Sequence, residues 1–259
     1  MFADTLLTRH VIVVGYYNVD VKAGKFSMIA LNIDPMNSDK EFTLDELFPY
    51  NDKMAKGTGA GAADQIQTWD YENQCYRYYF MYYAAVKGTP VEKAYHWVEN
   101  DAAAGYPIAT AKFKTGSSVF YFAKDNDNAF SIPGQVPNEA AGVLKHGFNM
   151  IGVGFPTQWN PNDAGKEYWN DTTKFAMGNG AGAADQIQYW DEENQRYRFF
   201  FLYYAAVKGS PVEKAYQWVE DDSAAGYPVL DEKLDTGDGF FYYRQKEGEI
   251  EFKPGLKLN

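Results

Sequence analysis

The chain contains a long stretch of itself twice. Residues 59–107 match residues 180–228 at a constant offset of 121, with 39 of the 49 positions identical. The shared string runs Gly-Ala-Gly-Ala-Ala-Asp-Gln-Ile-Gln, Trp-Asp, Tyr-Tyr-Ala-Ala-Val-Lys-Gly, Pro-Val-Glu-Lys-Ala-Tyr and Ala-Ala-Gly-Tyr-Pro. A period this long means one folding unit used twice, so any fold read into one copy has to serve the other. The match thins outside this stretch but persists. Residues 25–29 parallel 147–151 at offset 122, and residues 115–121 parallel 236–242. Residues 132–138, with Pro133, Gly134 and Pro137, read as a turn-rich connector. The expected domains are therefore 1–134, an N-terminal strand plus the first repeat, and 135–259, the second repeat.

Each copy carries the same order of local signals. A first strand is expected over 26–33 and 148–155. A half-buried alternation follows over 64–69, where Ile66 lies between two glutamines. The polar run 70–74 leads into 76–86, which reads as a hairpin with a long loop. A last pair is expected over 118–124 with 129–132, matched by 239–245 with 249–253. Aromatics make up 17% of the chain and favour strands. Residues 89–105 give two answers. Thr89-Pro90-Val91-Glu92 is a capping box with Pro at the first helical position, whereas Tyr95 and Trp97 alternate like a strand. Thr43-Leu44-Asp45-Glu46 predicts a helical turn before Phe48. The fold class is mainly β: two tandem homologous β-sandwich or small-barrel domains, with room for one short helix per repeat.

Differences between the copies carry information of their own. Tyr78/Phe199, Tyr79/Phe200 and Met81/Leu202 preserve shape and are expected in cores. Thr68/Tyr189, Tyr71/Glu192 and Cys75/Arg196 change character, which predicts solvent-facing positions.

Several function classes recede. A formal charge of -11 repels phosphate backbones, so nucleic acid is not an expected partner. No run of 18 apolar residues is present to make a transmembrane helix, and residues 1–5 lack the basic and apolar features of a leader. The single Cys75 allows neither an internal disulfide nor a thiolate zinc cluster. Of the three histidines, His10, His96 and His146, His96 is replaced by Gln217 in the other copy. The loop 57–63 is glycine-rich but lacks the Gly-Lys-Ser/Thr ending of a phosphate cradle. Neither Gly-x-Ser-x-Gly nor His-Glu-x-x-His occurs. The expectation is a protein that is not an enzyme and carries no cofactor.

Three groups of residues are candidate contacts. Asp64, Asp70, Asp185 and Asp191 recur in equivalent settings and suit a calcium or ligand contact. Their structural alternative is that Asp64 caps the amides of the glycine-rich loop and Asp70 starts the hairpin turn. Trp159 and Trp169, in a Pro/Asn-rich stretch, are candidates for an exposed aromatic platform. Val11, Ile12, Val13 and Val14 lie in an expected strand, 8–21, that can pair with a sheet edge of its own chain or of a neighbour.

Gly147-Phe148-Asn149-Met150-Ile151-Gly152, Asp185-Gln186-Ile187-Gln188 with Trp190-Asp191, and Gly237-Asp238-Gly239-Phe240-Phe241-Tyr242 are motifs in which the chain resembles uncharacterised secreted bacterial proteins of tandem β-domains. The resemblance implies a mainly β fold, a strand rather than a helix over 89–105, and an extracellular or cell-surface location. It brings no catalytic residues. Two functions are expected from these readings. One is a structural subunit of an extracellular filament or surface layer, assembling head-to-tail with copies of itself, with strand donation from the N-terminus. The other is a secreted module that binds polysaccharide on aromatic platforms.

Overall fold

The computed structural model describes residues 14–36, 41–138 and 142–253. Val11, Ile12 and Val13 lie outside the described residues. The first half contains β1 (Val14–Val21), β2 (Phe26–Ala30), β3 (Phe42–Thr43), α1 (Leu44–Leu47), β4 (Gln65–Asp70) and β5 (Cys75–Met81). It continues with β6 (Ala85–Val86), β7 (Thr89–Pro90), β8 (Trp97–Glu99), β9 (Lys112–Phe113), β10 (Ser118–Phe122) and β11 (Asn128–Gln135). The second half contains β12 (Gly142–Ile151), α2 (Lys166–Trp169), β13 (Gln186–Asp191), β14 (Arg196–Tyr203), β15 (Ala206–Val207), β16 (Ser210–Pro211), β17 (Gln217–Glu220) and β18 (Phe240–Phe252). The protein is mainly β. Two five-stranded antiparallel sheets dominate, ordered β2-β10-β4-β5-β8 and β12-β18-β13-β14-β17.

Local rules explain much of this. Thr43 caps α1: its hydroxyl accepts from Glu46 N, and the Glu46 carboxylate accepts from Thr43 N at 2.7 Å. Leu44 and Leu47 then point into the core. Residues 89–105 contain no helix. Thr89 and Pro90 pair with Val86 and Ala85, and Trp97 and Val98 are fully buried in β8. The Trp97 indole donates to Phe48 O at 2.8 Å, so packing overrides the capping signal.

The last strand pair departs from expectation. β11 does not fold back on β10; it pairs with β1, from Val14↔Gln135 to Val21↔Asn128. Pro133 and Gly134, expected in a connector, are inside β11. A two-stranded ribbon leaves one side of each strand unpaired, where a proline costs no ladder bond. In the second half the same ribbon is continuous with the main sheet: Gly142–Lys145 of β12 pairs with Glu249–Phe252 of β18. The strand β1 is thus part of the repeated unit rather than an addition before it.

Each sheet buries two faces. One face, with Ile66, Met81, Trp97, Val119 and Tyr121, is covered by β1, β11 and α1. Its counterpart in the second half holds Trp159, Trp169, Ile187, Leu202, Trp218 and Tyr242. The opposite faces of the two sheets meet each other. Met28 and Phe120 pack with Met150 and Phe241, flanked by Phe26, Trp69 and Tyr76 and by their equivalents Phe148, Trp190 and Tyr197. The contact is reciprocal. Gln195 accepts from Phe26 N at 2.8 Å and donates to Phe26 O at 3.0 Å, while Gln74 does the same to Phe148 N and O at 2.8 and 3.3 Å. Ala30 N donates to Gly237 O, and Gly152 N donates to Gly116 O. The hydroxyls of Tyr76 and Tyr197, 121 residues apart, lie 3.2 Å from each other. Residues meeting their own equivalents is the signature of a pseudo-twofold, isologous contact.

Candidate functional site

The candidate contacts are distributed as follows. Trp159 and Trp169 are 1% and 0% exposed, which corrects their assignment to an exposed platform. Trp159 stacks on Phe240, and Trp169 packs edge-on against Trp218. The polar residues around them serve as internal scaffold: Asn162 accepts from Trp218 N at 2.7 Å and donates to Leu230 O at 2.8 Å.

Asp64 and Asp185 are buried, and their oxygens are taken by protein donors. Asp64 accepts from the Tyr121 hydroxyl at 2.7 Å and from Lys124 N at 2.9 Å; Asp185 accepts from the Tyr242 hydroxyl and Gln245 N, both at 2.9 Å. Their donors come from the far strand, not from the glycine-rich loop. Burial pushes both carboxyls above the usual carboxylate range. Asp70 and Asp191 organise the hairpin turns. Asp70 accepts from Glu72 N and Asn73 N, both at 3.0 Å, and from the Asn73 amide. These bonds, the Asn73 side chain first, hold its carboxyl below the usual range. The turn ends on Gln74 with φ 49°, and its equivalent Gln195 has φ 51°. That left-handed residue aims each glutamine across the contact onto the other half. Val14 pairs with Gln135.

The structure draws attention to a different place. A cleft of about 400 Å³ opens at the mouth of the first sandwich, lined by Thr68, Trp69, Asp70, Arg77, Tyr79 and Ser118, with Lys145 arriving from β12. It adjoins a second hollow of about 600 Å³, with which it shares Tyr71, Ser117 and Lys145. Volumes in this range suit a small-molecule site. Buried polar atoms without protein partners occur among its lining residues on both faces of the sheet: Tyr79 belongs to the core face, and Trp69 and Ser118 to the face that meets the second half. The Trp69 indole N–H and the Ser118 hydroxyl have none, and the Tyr79 hydroxyl has only Thr68 beside it. Tyr79 is 1% exposed, Ser118 4% and Thr68 6%. Burying such groups unpaired is costly.

The second repeat differs at this place. There Tyr189 replaces Thr68, packs against the core, and donates to Asp238 at 2.8 Å. Phe200 and Gly239 replace Tyr79 and Ser118, removing both hydroxyls. The Trp190 indole, equivalent to that of Trp69, donates to Phe26 O at 2.9 Å. At this site one repeat is filled by Tyr189, bonded to Asp238, and the other is open beside Thr68. Thr68 and Tyr71 therefore border the cleft rather than face solvent, which corrects the reading of their change in character. Tyr71 spans the contact, donating to Met150 O at 2.9 Å, and burial pushes its hydroxyl up to about 12. Cys75, by contrast, is exposed.

Compared with known proteins, the chain matches no family model, no curated protein and no solved structure. Among the described residues, no helix is long and apolar enough to cross a membrane.

Proposed function

We propose that this is a secreted carbohydrate-binding protein that acts without catalysis, built as two tandem β domains and taking its ligand in the cleft of the first. The observation that carries this reading is the open cleft beside Thr68 with the neighbouring Tyr79 hydroxyl, where the second repeat has Tyr189 filling the space and Phe200 without a hydroxyl. A polyhydroxylated ligand supplies several donors and acceptors at once. Trp69, half-buried at the edge of the cleft, supplies apolar ring surface beside them. In the free protein, water entering the cleft serves these groups, and ligand hydroxyls displace it. The acids at the site are poorly placed for turnover, since the Asp70 carboxylate is committed to the turn amides.

The test transplants the plug. Thr68→Tyr with Ser117→Asp recreates the Tyr189–Asp238 pair in the first repeat. An oligosaccharide array probed with the wild type and this variant is expected to show binding by the former alone, with unchanged thermal unfolding. Equal binding by both, or none by the wild type, would overturn the proposal.

Self-assembly is favoured by one separate observation. Among the described residues β1 pairs only with β11, and it carries Val14 and Tyr16, 60% and 74% exposed. An edge like this can accept a strand from another chain. Electron microscopy and size-exclusion chromatography decide this: filaments support assembly, and a monomer at all concentrations removes it.

A further inference from the structure

We infer that the ligand of the cleft is acidic, a glycan carrying carboxylate groups such as a uronic-acid oligomer. This deepens the carbohydrate-binding reading and rests on it. The chain as a whole is strongly acidic, yet this surface is not. Tyr71, Ala111, Lys114 and Ser117 line or flank the cleft; at the same places the second repeat carries Glu192, Glu232, Asp235 and Asp238. Four acids absent and one lysine gained make a local swing of five charges between two otherwise similar sites.

The cations are also deployed differently. In the second repeat, Arg198 is paired with both Glu220 and Glu232, and Lys233 lies 3.9 Å from Asp163. In the first repeat, Arg77 has one partner, Glu99 at 2.6 Å, and Lys114 is 3.6 Å from Glu41. Lys112 and Lys145 line the cleft and make no ion pair among the described residues. Lys145 comes from the opposite half, so the two ammonium groups approach from separate elements. Asp70, Glu72 and Glu251 also line the two hollows. They explain why a neutral or cationic guest would have company enough, but not why unpaired lysines gather here. Arg77, Lys112, Lys114 and Lys145 outnumber Asp70, Glu72 and Glu251 in the lining by one, and an excess of positive charge at the rim of a low-dielectric cleft attracts the opposite charge. A carboxylate beside Lys112 and Lys145 and sugar hydroxyls beside Thr68 and Ser117 would meet both halves of the lining.

Titration calorimetry with an oligogalacturonate and with a neutral galacto-oligosaccharide of equal length tests this. The acidic oligomer is expected to bind at least tenfold more tightly at low salt. That preference should shrink on raising ionic strength and be largely lost in Lys112→Ala/Lys145→Ala. The alanine pair lies on exposed surface, and an unchanged melting temperature checks its fold. Equal affinity for both oligomers would overturn the acidic-ligand inference and leave carbohydrate binding standing. An acidic preference unaffected by the double substitution would also overturn it. Binding of neither oligomer, by wild type and variant alike, would overturn both.

Discussion

The two glutamines that cross between the halves give a quantitative handle on the contact. Gln195 makes two bonds to the Phe26 backbone and a third, at 2.7 Å, to Glu192 O. Truncation in Gln195→Ala removes the two inter-half bonds from a half-buried position. At about 1 kcal/mol net for each, the expected loss is about 2 kcal/mol. For a chain of this size that corresponds to a fall of roughly 4–8 °C in Tm. Gln74→Ala removes the same pair from a more exposed place, where one bond is 3.3 Å long, and should cost about half as much. The backbone supplies an internal control. Gln195 holds φ 51°, a conformation that costs a residue with a Cβ about 1 kcal/mol. Gln195→Gly should therefore be about 1 kcal/mol more stable than Gln195→Ala, although it lacks the same bonds. Urea unfolding followed by tryptophan fluorescence and by far-UV circular dichroism reads both effects. A Gln195→Ala protein that melts within about 1 °C of wild type would refute the claim that these glutamines hold the halves together.

Three further outcomes are expected. Asp64→Ala strands the Tyr121 hydroxyl and the Lys124 amide and should cost about 3 kcal/mol, whereas Asp64→Asn retains an acceptor and should cost about 1, both measured by urea midpoints. Because burial raises the Asp64 and Asp185 carboxyls, the folded state binds protons more tightly than the unfolded one. Their contribution is fully present at low pH and is lost as pH rises through the folded pKa, so the wild type should lose stability relative to Asp64→Asn/Asp185→Asn over that rise. Gly152→Ala places a Cβ 2.1 Å from the Ala30 methyl and should cost about 1–3 kcal/mol, with Ala30→Gly restoring the melting temperature. Trp169→Ala should cost about 3–5 kcal/mol in thermal unfolding, as a core deletion does, and any residual folded protein should keep the affinity of wild type.

What the sequence made legible were features governed by near neighbours. The alternation of Ile66 between glutamines, the Asp70 turn and the Thr43 capping box all act within a few residues, and each appears in the structure at its own place. Residues 89–105 were ambiguous because their capping box is sound locally and is defeated only by Trp97 reaching Phe48, 49 residues away. Trp159 and Trp169 misled for a related reason. Prolines and asparagines around them resemble an exposed loop, yet Asn160 and Asn162 spend their amides on buried carbonyls of Leu230 and Trp218. The cleft was hidden most deeply. A position that alternates between Thr68 and Tyr189 looks the same in sequence whether solvent or a cavity tolerates the change. Only when Tyr79/Phe200 is found beside it do the two differences become one event.

The symmetry of the contact bears on what the duplication is for. A lone repeat would leave the outer face of its sheet, with Phe26, Met28 and Phe120, open to water. Exposed apolar faces of that kind demand a partner. A second repeat on the same chain provides one at high effective concentration. The match between the halves is isologous, and an isologous contact closes on itself instead of propagating. The like surfaces are therefore buried against each other within the molecule. Closure also separates two kinds of constraint. Trp69/Trp190, Gln74/Gln195 and Tyr76/Tyr197 sit at the contact and are identical, because each must fit the other half. The mouth of each sandwich lies to one side, where the halves are free to differ. There the second repeat places Tyr189, bonded to Asp238, where the first has Thr68 beside an open cleft.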